Sequence, residues 1–146
     1  MVLGIDIGGT NTEFAVVDSS KGILHTEKIK TKAHNSFLNY IENLSDVVKS
    51  LSSNYSISSI GIGAPNYDSL SNTFSPVNFP WSDVAPFNLA KHLEHEVNIP
   101  TSVVNDANAV ALAENRYGIG RSVNSFVIIT IGTGLGAGIV INNKLF

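Results

Sequence analysis

The stretch Val2-Leu3-Gly4-Ile5-Asp6-Ile7-Gly8-Gly9-Thr10-Asn11-Thr12-Glu13-Phe14-Ala15-Val16-Val17-Asp18 decides the fold. An apolar run, Val2 to Ile7, ends in two glycines, and a second apolar run, Glu13 to Asp18, comes almost at once. Short runs of this kind, punctuated by glycine, read as strands joined by a tight turn. Ser19-Ser20-Lys21-Gly22 is another turn, and Ile23 to Lys30 alternates apolar and polar residues as an outer strand does. Three strands with such short connections form an antiparallel meander.

Beyond the meander the period changes. Asn35 or Ser36 can cap a helix running to about Ser52, with Phe37, Tyr40, Ile41, Leu44, Val47, Val48 and Leu51 on one face. Ile57 to Ile62 reads as a fourth strand. Gly63 to Trp81 is a loop punctuated by Pro65, Pro76 and Pro80, and long loops in compact domains often bind something. A second helix is expected over Ala85 to Val97, with Pro86 tolerated in its first turn. Thr101 to Asn105 is a fifth strand, and Ala107 to Tyr117 a third helix stopped by Gly118. Ser125 to Ile131 and Gly136 to Ile141 are two more strands, with the hairpin signal Asn142-Asn143 after them.

The order βββαβαβα predicts an α/β lobe on a mixed five-stranded sheet over residues 1–118, with the first strands of a second lobe in 119–146. Those last strands are strongly apolar and need neighbours, as in a fold cut in the middle or completed by another chain. Self-association into a homo-oligomer is the expectation.

Composition excludes several classes. With 43% hydrophobic and 14% charged residues over 146 positions, the chain is globular and long enough for a core. A net charge of −3 offers no basic field for a nucleic-acid backbone. Without cysteine there is neither a disulfide nor a thiolate metal site. The start lacks the basic and long apolar segments of a signal peptide, and no apolar run reaches membrane-spanning length. The expectation is a cytoplasmic protein with no nucleic-acid or membrane partner.

Four motifs carry candidate chemistry. In Asp6-Ile7-Gly8-Gly9-Thr10-Asn11-Thr12, a strand ends near a carboxylate and two glycines open the backbone. A phosphate can then approach main-chain N–H groups, Thr10 and Thr12 offer hydroxyls, and Asp6 is a candidate to hold Mg²⁺ through water. A plain hairpin turn explains the glycines as well. Gly132-Thr133-Gly134-Leu135-Gly136-Ala137-Gly138 has the glycine spacing of a dinucleotide fingerprint, but a strand comes after it where that fingerprint needs a helix. A second strand–turn–strand phosphate loop and a closely packed glycine hairpin both remain open. Asp106, within Val104-Asn105-Asp106-Ala107-Asn108, stands where a strand becomes a helix. It is at once a candidate helix cap and a candidate base, since open α/β sheets bind ligands at the C-terminal ends of their strands. In Pro76-Val77-Asn78-Phe79-Pro80-Trp81, Asn78 can serve a sugar hydroxyl, and Trp81 is either a pocket wall or a core plug. His92 and His95 sit among Lys91, Glu94 and Glu96 and read as a solvated helix face rather than a metal site. His25 and His34 are isolated.

Together these pieces resemble the ROK family of sugar kinases, repressors and related open reading frames. The resemblance rests on Gly4-Ile5-Asp6-Ile7-Gly8-Gly9-Thr10, Gly61-Ile62-Gly63-Ala64-Pro65, Asn78 with Pro80-Trp81, Asn105-Asp106-Ala107-Asn108 and Gly132-Thr133-Gly134-Leu135-Gly136, in family order along the whole chain. It implies an actin-like, ribonuclease-H-like fold of two lobes, and ATP- and Mg-dependent phosphorylation of a hexose hydroxyl, as in glucokinases. Asp106 then resembles the catalytic base. Asn78 and Asn105 resemble sugar ligands, with Gly63 and Ala64 lining the sugar. Asp6, Gly8, Gly9, Thr10 and Asn11 resemble the first phosphate loop, and Gly132, Thr133 and Gly134 the second. Asn66 stands where the family often has glycine, which leaves the shape of that loop open. The resemblance places further sugar ligands, a cysteine-rich zinc site and most of the adenine pocket in a segment beyond residue 146, so these residues by themselves are expected to be inactive. Because the chain starts almost at the first glycine turn, with no helix-turn-helix before it, a family repressor is not expected. A non-catalytic sugar-binding or regulatory domain on the same scaffold is the alternative.

Overall fold

The structure, a computed structural model, describes residues 1–77, 79–81, 84–132 and 134–146. Strands β1 (Val2–Ile7), β2 (Asn11–Asp18) and β3 (Gly22–Lys30) form the meander. Helix α1 (Phe37–Asn54) comes next, capped by Ser36, whose Oγ accepts from the Asn39 N–H at 3.1 Å. Strand β4 (Ser59–Ala64), helix α2 (Leu89–Val97), strand β7 (Thr101–Asn105) and helix α3 (Asp106–Tyr117) complete the first sheet and its helices. Between β4 and α2 lie two short strands, β5 (Tyr67–Asp68) and β6 (Thr73–Phe74), paired antiparallel. Strands β8 (Phe126–Ile131), β9 (Leu135–Ile141) and β10 (Lys144–Leu145) make a separate three-stranded sheet. Among the described residues no helix is long and apolar enough to cross a membrane.

The five-stranded sheet has the order β3-β2-β1-β4-β7. It is mixed, with β1 antiparallel to β2 and parallel to β4, and β4 parallel to β7. Alternation along each strand sends the large apolar residues to one face. Leu3, Ile5 and Ile7 of β1 and Ile60 and Ile62 of β4 join Tyr40, Leu44 and Val48 of α1 and Leu93 of α2 in one buried cluster. In register, the residues between them are Gly4 and Gly61, Asp6 and Gly63, and Asp6 and Glu13. The second face is therefore small or charged, and α3 lies over part of it.

The sequence reading places α2 four residues too early. Phe87 and Phe74 exchange two main-chain hydrogen bonds, at 2.8 and 2.9 Å, which holds Phe87 extended. Asn88 then caps α2, its Oδ1 accepting from the Lys91 N–H at 3.0 Å. Phe87 is held because its ring meets Phe37 edge-on at 5.4 Å, inside an aromatic cluster that includes Phe74, Phe79, Trp81 and Tyr40. Trp81 is a plug in this cluster: it is 4% exposed, stacks on Tyr40 at 5.1 Å and donates its ring N–H to the His34 carbonyl. His92 is not on a fully solvated face. Its ring meets Phe87 and its Nε2 lies 3.0 Å from the Ser45 hydroxyl, while His95 is exposed.

The three-stranded sheet packs on α3 at very short range. A Cβ on Gly138 would lie 2.5 Å from the Ala107 carbonyl oxygen and 2.6 Å from the Ala111 Cβ. These are backbone and methyl neighbours that cannot swing away, so Gly138→Ala is expected to destabilise the chain by about 1–3 kcal/mol through overpacking. Gly61, on the open face with nothing near its missing Cβ, is the control, and Gly61→Ala should change stability by less than about 0.5 kcal/mol. Urea denaturation monitored by circular dichroism measures both.

Candidate functional site

Three parallel strands end side by side. The register pairs Asp6 with Gly63, Gly63 with Val104, and Ala64 with Asn105, so the ends of β1, β4 and β7 share one edge. The Gly8-Gly9 turn after β1, Pro65-Asn66 after β4 and the start of α3 after β7 are thereby gathered at one place. These residues and the β8–β9 turn line one open cleft of about 1880 Å³. Asp6, Gly8, Gly9, Gly63, Asn105, Asp106, Gly132 and Gly134 all border it.

The first turn is tight. The Gly8 N–H donates to the Asn11 carbonyl at 2.9 Å, and a Cβ on Gly8 would stand 2.8 Å from that same oxygen. Only glycine fits without moving the turn. Thr10 and Asn11 are not among the cleft-lining residues; their carbonyls are used inside the turn, accepting from Thr31 N–H and Gly8 N–H respectively. Thr12 corrects the sequence reading more sharply. Its side chain is fully buried and its hydroxyl bonds to Thr31 and Tyr40 at 2.9 and 2.8 Å, so it offers nothing to a cleft ligand. Residue 12 lies on the core face because Ile7 and Thr12 are paired.

The helix cap falls to Asn105, not Asp106. Asn105 Oδ1 accepts from the N–H groups of Ala107 and Asn108 at 3.0 and 3.4 Å. Asp106 is the first helical residue, half-buried, with Oδ1 accepting from the Ala107 N–H at 2.8 Å. A carboxylate in the first turn of a helix faces the positive end of the peptide dipoles. Its Oδ2 makes no hydrogen bond to the described residues, which leaves an oxygen for a proton. Gly63 stands between the two carboxylates: a Cβ there would be 3.8 Å from both Asp6 Oδ1 and Asp106 Cα. Desolvation, then the charges of Asp106 and Glu13, raise the Asp6 pKa above the usual aspartate value. Asp6 still keeps much of its surface in water, and the negative charges of Asp106 and Glu13 add to the leading effect of desolvation.

Ala64 is placed away from the cleft, fully buried in the core cluster, so a ligand meets at most its backbone. The β8–β9 glycines divide their work. Gly132 and Gly134 face open space at the turn, whereas Gly136 and Gly138 pack on α3, so the close-packing reading applies to the latter two. Asn78 and Thr133 lie outside the described residues. Asn66 settles the shape of its loop. Its φ is 53°, the left-handed region glycine would occupy, and its Nδ2 donates to the Val77 carbonyl at 2.9 Å. Among the described residues, His, Cys, Asp and Glu form no group of three or more able to hold a metal ion. Sequence reasoning missed Glu13, although a two-residue turn at Gly9-Thr10 fixes it opposite Asp6. It also missed Thr31, which no motif marks.

A model of the ROK family matches residues 2–146. A glucokinase of Streptomyces coelicolor is 35% identical over 148 residues, covering 99% of this chain and 45% of that protein. A beta-glucoside kinase of Listeria monocytogenes is 33% identical over 145 residues, covering 99% and 48%. Among solved structures, the ROK family glucokinase from Streptomyces griseus, in complex with glucose and AMPPNP, superposes with a TM-score of 0.82 at 36% identity, over 99% of this chain and 46% of that one. The chain therefore spans under half the length of these relatives.

The crowding at Asp6 has a measurable sign. Its folded-state pKa is raised, so the native chain binds the proton more tightly than the unfolded chain, and ionised Asp6 opposes folding. Asp6→Asn is expected to raise the melting temperature at neutral pH. The gain should shrink as pH falls through the raised pKa toward the ordinary aspartate value. Thermal unfolding of both proteins across that range tests it, and a pH-independent difference would contradict it.

Proposed function

This chain belongs to the ROK family, and on that premise we propose that it forms part of an ATP-dependent hexose kinase of the glucokinase type, with Asp106 as its base. The observation that carries the reading is the convergence of the Gly8-Gly9 turn, Gly63 and Asp106 at the C-terminal edge of three parallel strands. A phosphate held by the turn and a sugar hydroxyl held at Asp106 would share one small floor. We place the lobe division near Gly118, where α3 ends and the chain leaves for the second sheet.

In the reaction, a hexose hydroxyl oxygen bonds to the γ-phosphorus as the bond to the β,γ-bridging oxygen breaks and ADP leaves. The hydroxyl proton passes to the unbonded Oδ2 of Asp106. A weakly basic carboxylate is adequate, because phosphoryl transfer asks mainly for position and for late proton acceptance. Asn105, whose Oδ1 is used as the cap, presents its NH₂ to a sugar hydroxyl, and Asn78 is assigned the same role. Gly63 has no side chain, so the sugar can approach the floor between the carboxylates. The Gly9 N–H, in a turn shaped by Gly8, Thr10 and Asn11, binds a phosphate oxygen from one side. The loop of Gly132, Thr133 and Gly134, with the Gly132 N–H given to the Gly134 carbonyl, faces the phosphates from the other.

Mg²⁺ fits Asp6: a single carboxylate on an accessible, negatively crowded rim suits an ion that keeps most of its water shell. When bound with ATP, Mg²⁺ supplies positive charge against the phosphates. We propose a cytoplasmic setting, and a hexose as the small-molecule partner, the latter supported by the glucokinase relative.

In the complete protein, Asp106→Asn should lower kcat for phosphorylation of glucose by Mg·ATP about 10²–10⁴-fold while sugar binding persists. A coupled assay reads this, and near-wild-type turnover would remove Asp106 as the base. For the 146-residue chain, exposed Val127, Ile129, Ile131 and Leu135 on β8 and β9 support self-association. Sedimentation velocity should show species above monomer mass, and a strictly monomeric profile would count against it.

A further inference from the structure

A fully buried chain of hydroxyls lies directly behind the first glycine turn. Thr31 Oγ1 donates to the Gly8 carbonyl at 2.8 Å and lies 2.9 Å from Thr12 Oγ1, which in turn lies 2.8 Å from the Tyr40 hydroxyl. All three side chains are 0% exposed, so none exchanges a bond with water. Each hydroxyl has one proton to give. Thr31 gives its proton to Gly8, so Thr12 must give to Thr31. Tyr40 must then give to Thr12. The direction of every bond is set by the fixed acceptor at the end. Burial pushes the Tyr40 hydroxyl above its usual pKa, which keeps it a donor.

The far end of the chain is a peptide of the turn. Peptide bonds are planar, and none among the described residues is cis, so the Gly8 carbonyl and the Gly9 N–H point in opposite directions. Holding the carbonyl toward the core holds the N–H away from it, on the cleft side where both glycines lie. Thr31 adds a second hold through its own N–H, which donates to the Thr10 carbonyl at 2.9 Å. Two glycines in succession would otherwise leave this peptide free to rotate.

We propose that Tyr40, Thr12 and Thr31 are positioning residues whose one-way hydroxyl chain fixes the Gly8–Gly9 peptide with its N–H presented to a phosphate. This rests on the reading of the turn as a phosphate loop. The three residues touch neither substrate. They act on nucleotide affinity through the turn and should leave the sugar side alone.

The test uses the complete protein, with AMPPNP and glucose titrated separately by calorimetry. Thr31→Val keeps the shape and removes the hydroxyl. It should weaken AMPPNP binding about tenfold, with glucose affinity within about twofold of wild type, as a lost buried hydrogen bond and a loosened donor together predict. Thr31→Ser restores the hydroxyl and should return AMPPNP affinity to within about twofold. The effects should decline along the chain, from Thr31→Val to Thr12→Val to Tyr40→Phe, the last keeping the ring stacked on Trp81. AMPPNP affinity unchanged in Thr31→Val, equal loss for both ligands, or no rescue by serine would overturn the proposal. The wild type separates the two levels: if it binds no AMPPNP, the phosphate-loop reading itself falls. If it binds and Thr31→Val binds equally, only the positioning role falls.

Discussion

The cleft exists because α3 can lie close to two sheets at once. That closeness depends on side chains that are absent. Gly63 meets Ala109 on one side of the helix, at 3.4 Å from where its own Cβ would be, and Gly136 and Gly138 meet Ala107 and Ala111 on the other. Any larger residue at these contacts would lift the helix from one sheet or the other. Lifting it would carry away its first turn, and with it Asp106 and the Asn105 cap. The position of the carboxylate is thus set by methyl-to-backbone packing rather than by a bond to the carboxylate itself.

The two faces of the large sheet divide stability from chemistry. One face holds nearly all the buried apolar surface, closed by α1 and α2 and extended by the aromatic cluster around Trp81. The other holds glycines and the carboxylates of Asp6 and Glu13. Charged side chains can crowd together there because the hydrophobic work is done on the other side. Tyr40 is the member of the apolar face that touches both concerns: its ring stacks on Trp81 and its hydroxyl enters the polar chain behind the turn.

Much of this was legible in the residues. The meander, the helix periods and the strand–glycine–strand echoes depend on local pattern, and local pattern is what a sequence displays. The glycine motifs were recognisable as a set even though each had a plain alternative. The errors share a cause, which is register and long-range pairing. The bridge between Phe74 and Phe87 shortened α2 against its local signals. Pairing with Ile7 turned Thr12 inward, and alternation along β4 sent Ala64 to the core. The exchange of cap between Asn105 and Asp106 is a one-residue matter, below what composition at a strand–helix junction can resolve. Thr31 was invisible, because a lone threonine after a strand has no local signature for a bond to residue 8.

Five asparagines, Asn66, Asn72, Asn98, Asn142 and Asn143, occupy left-handed backbone positions where glycine would be less strained. The choice has a thermodynamic consequence on the other side of the folding equilibrium. Glycine at five sites would enlarge the disordered ensemble, whereas asparagine restricts it while still tolerating the turn. At Asn66 the side chain adds a tether across the proline loop that glycine has no atoms to make. The turns at these five positions therefore fold from a narrower set of starting conformations than glycine would allow, and Asn66 carries that restriction to the rim of the cleft.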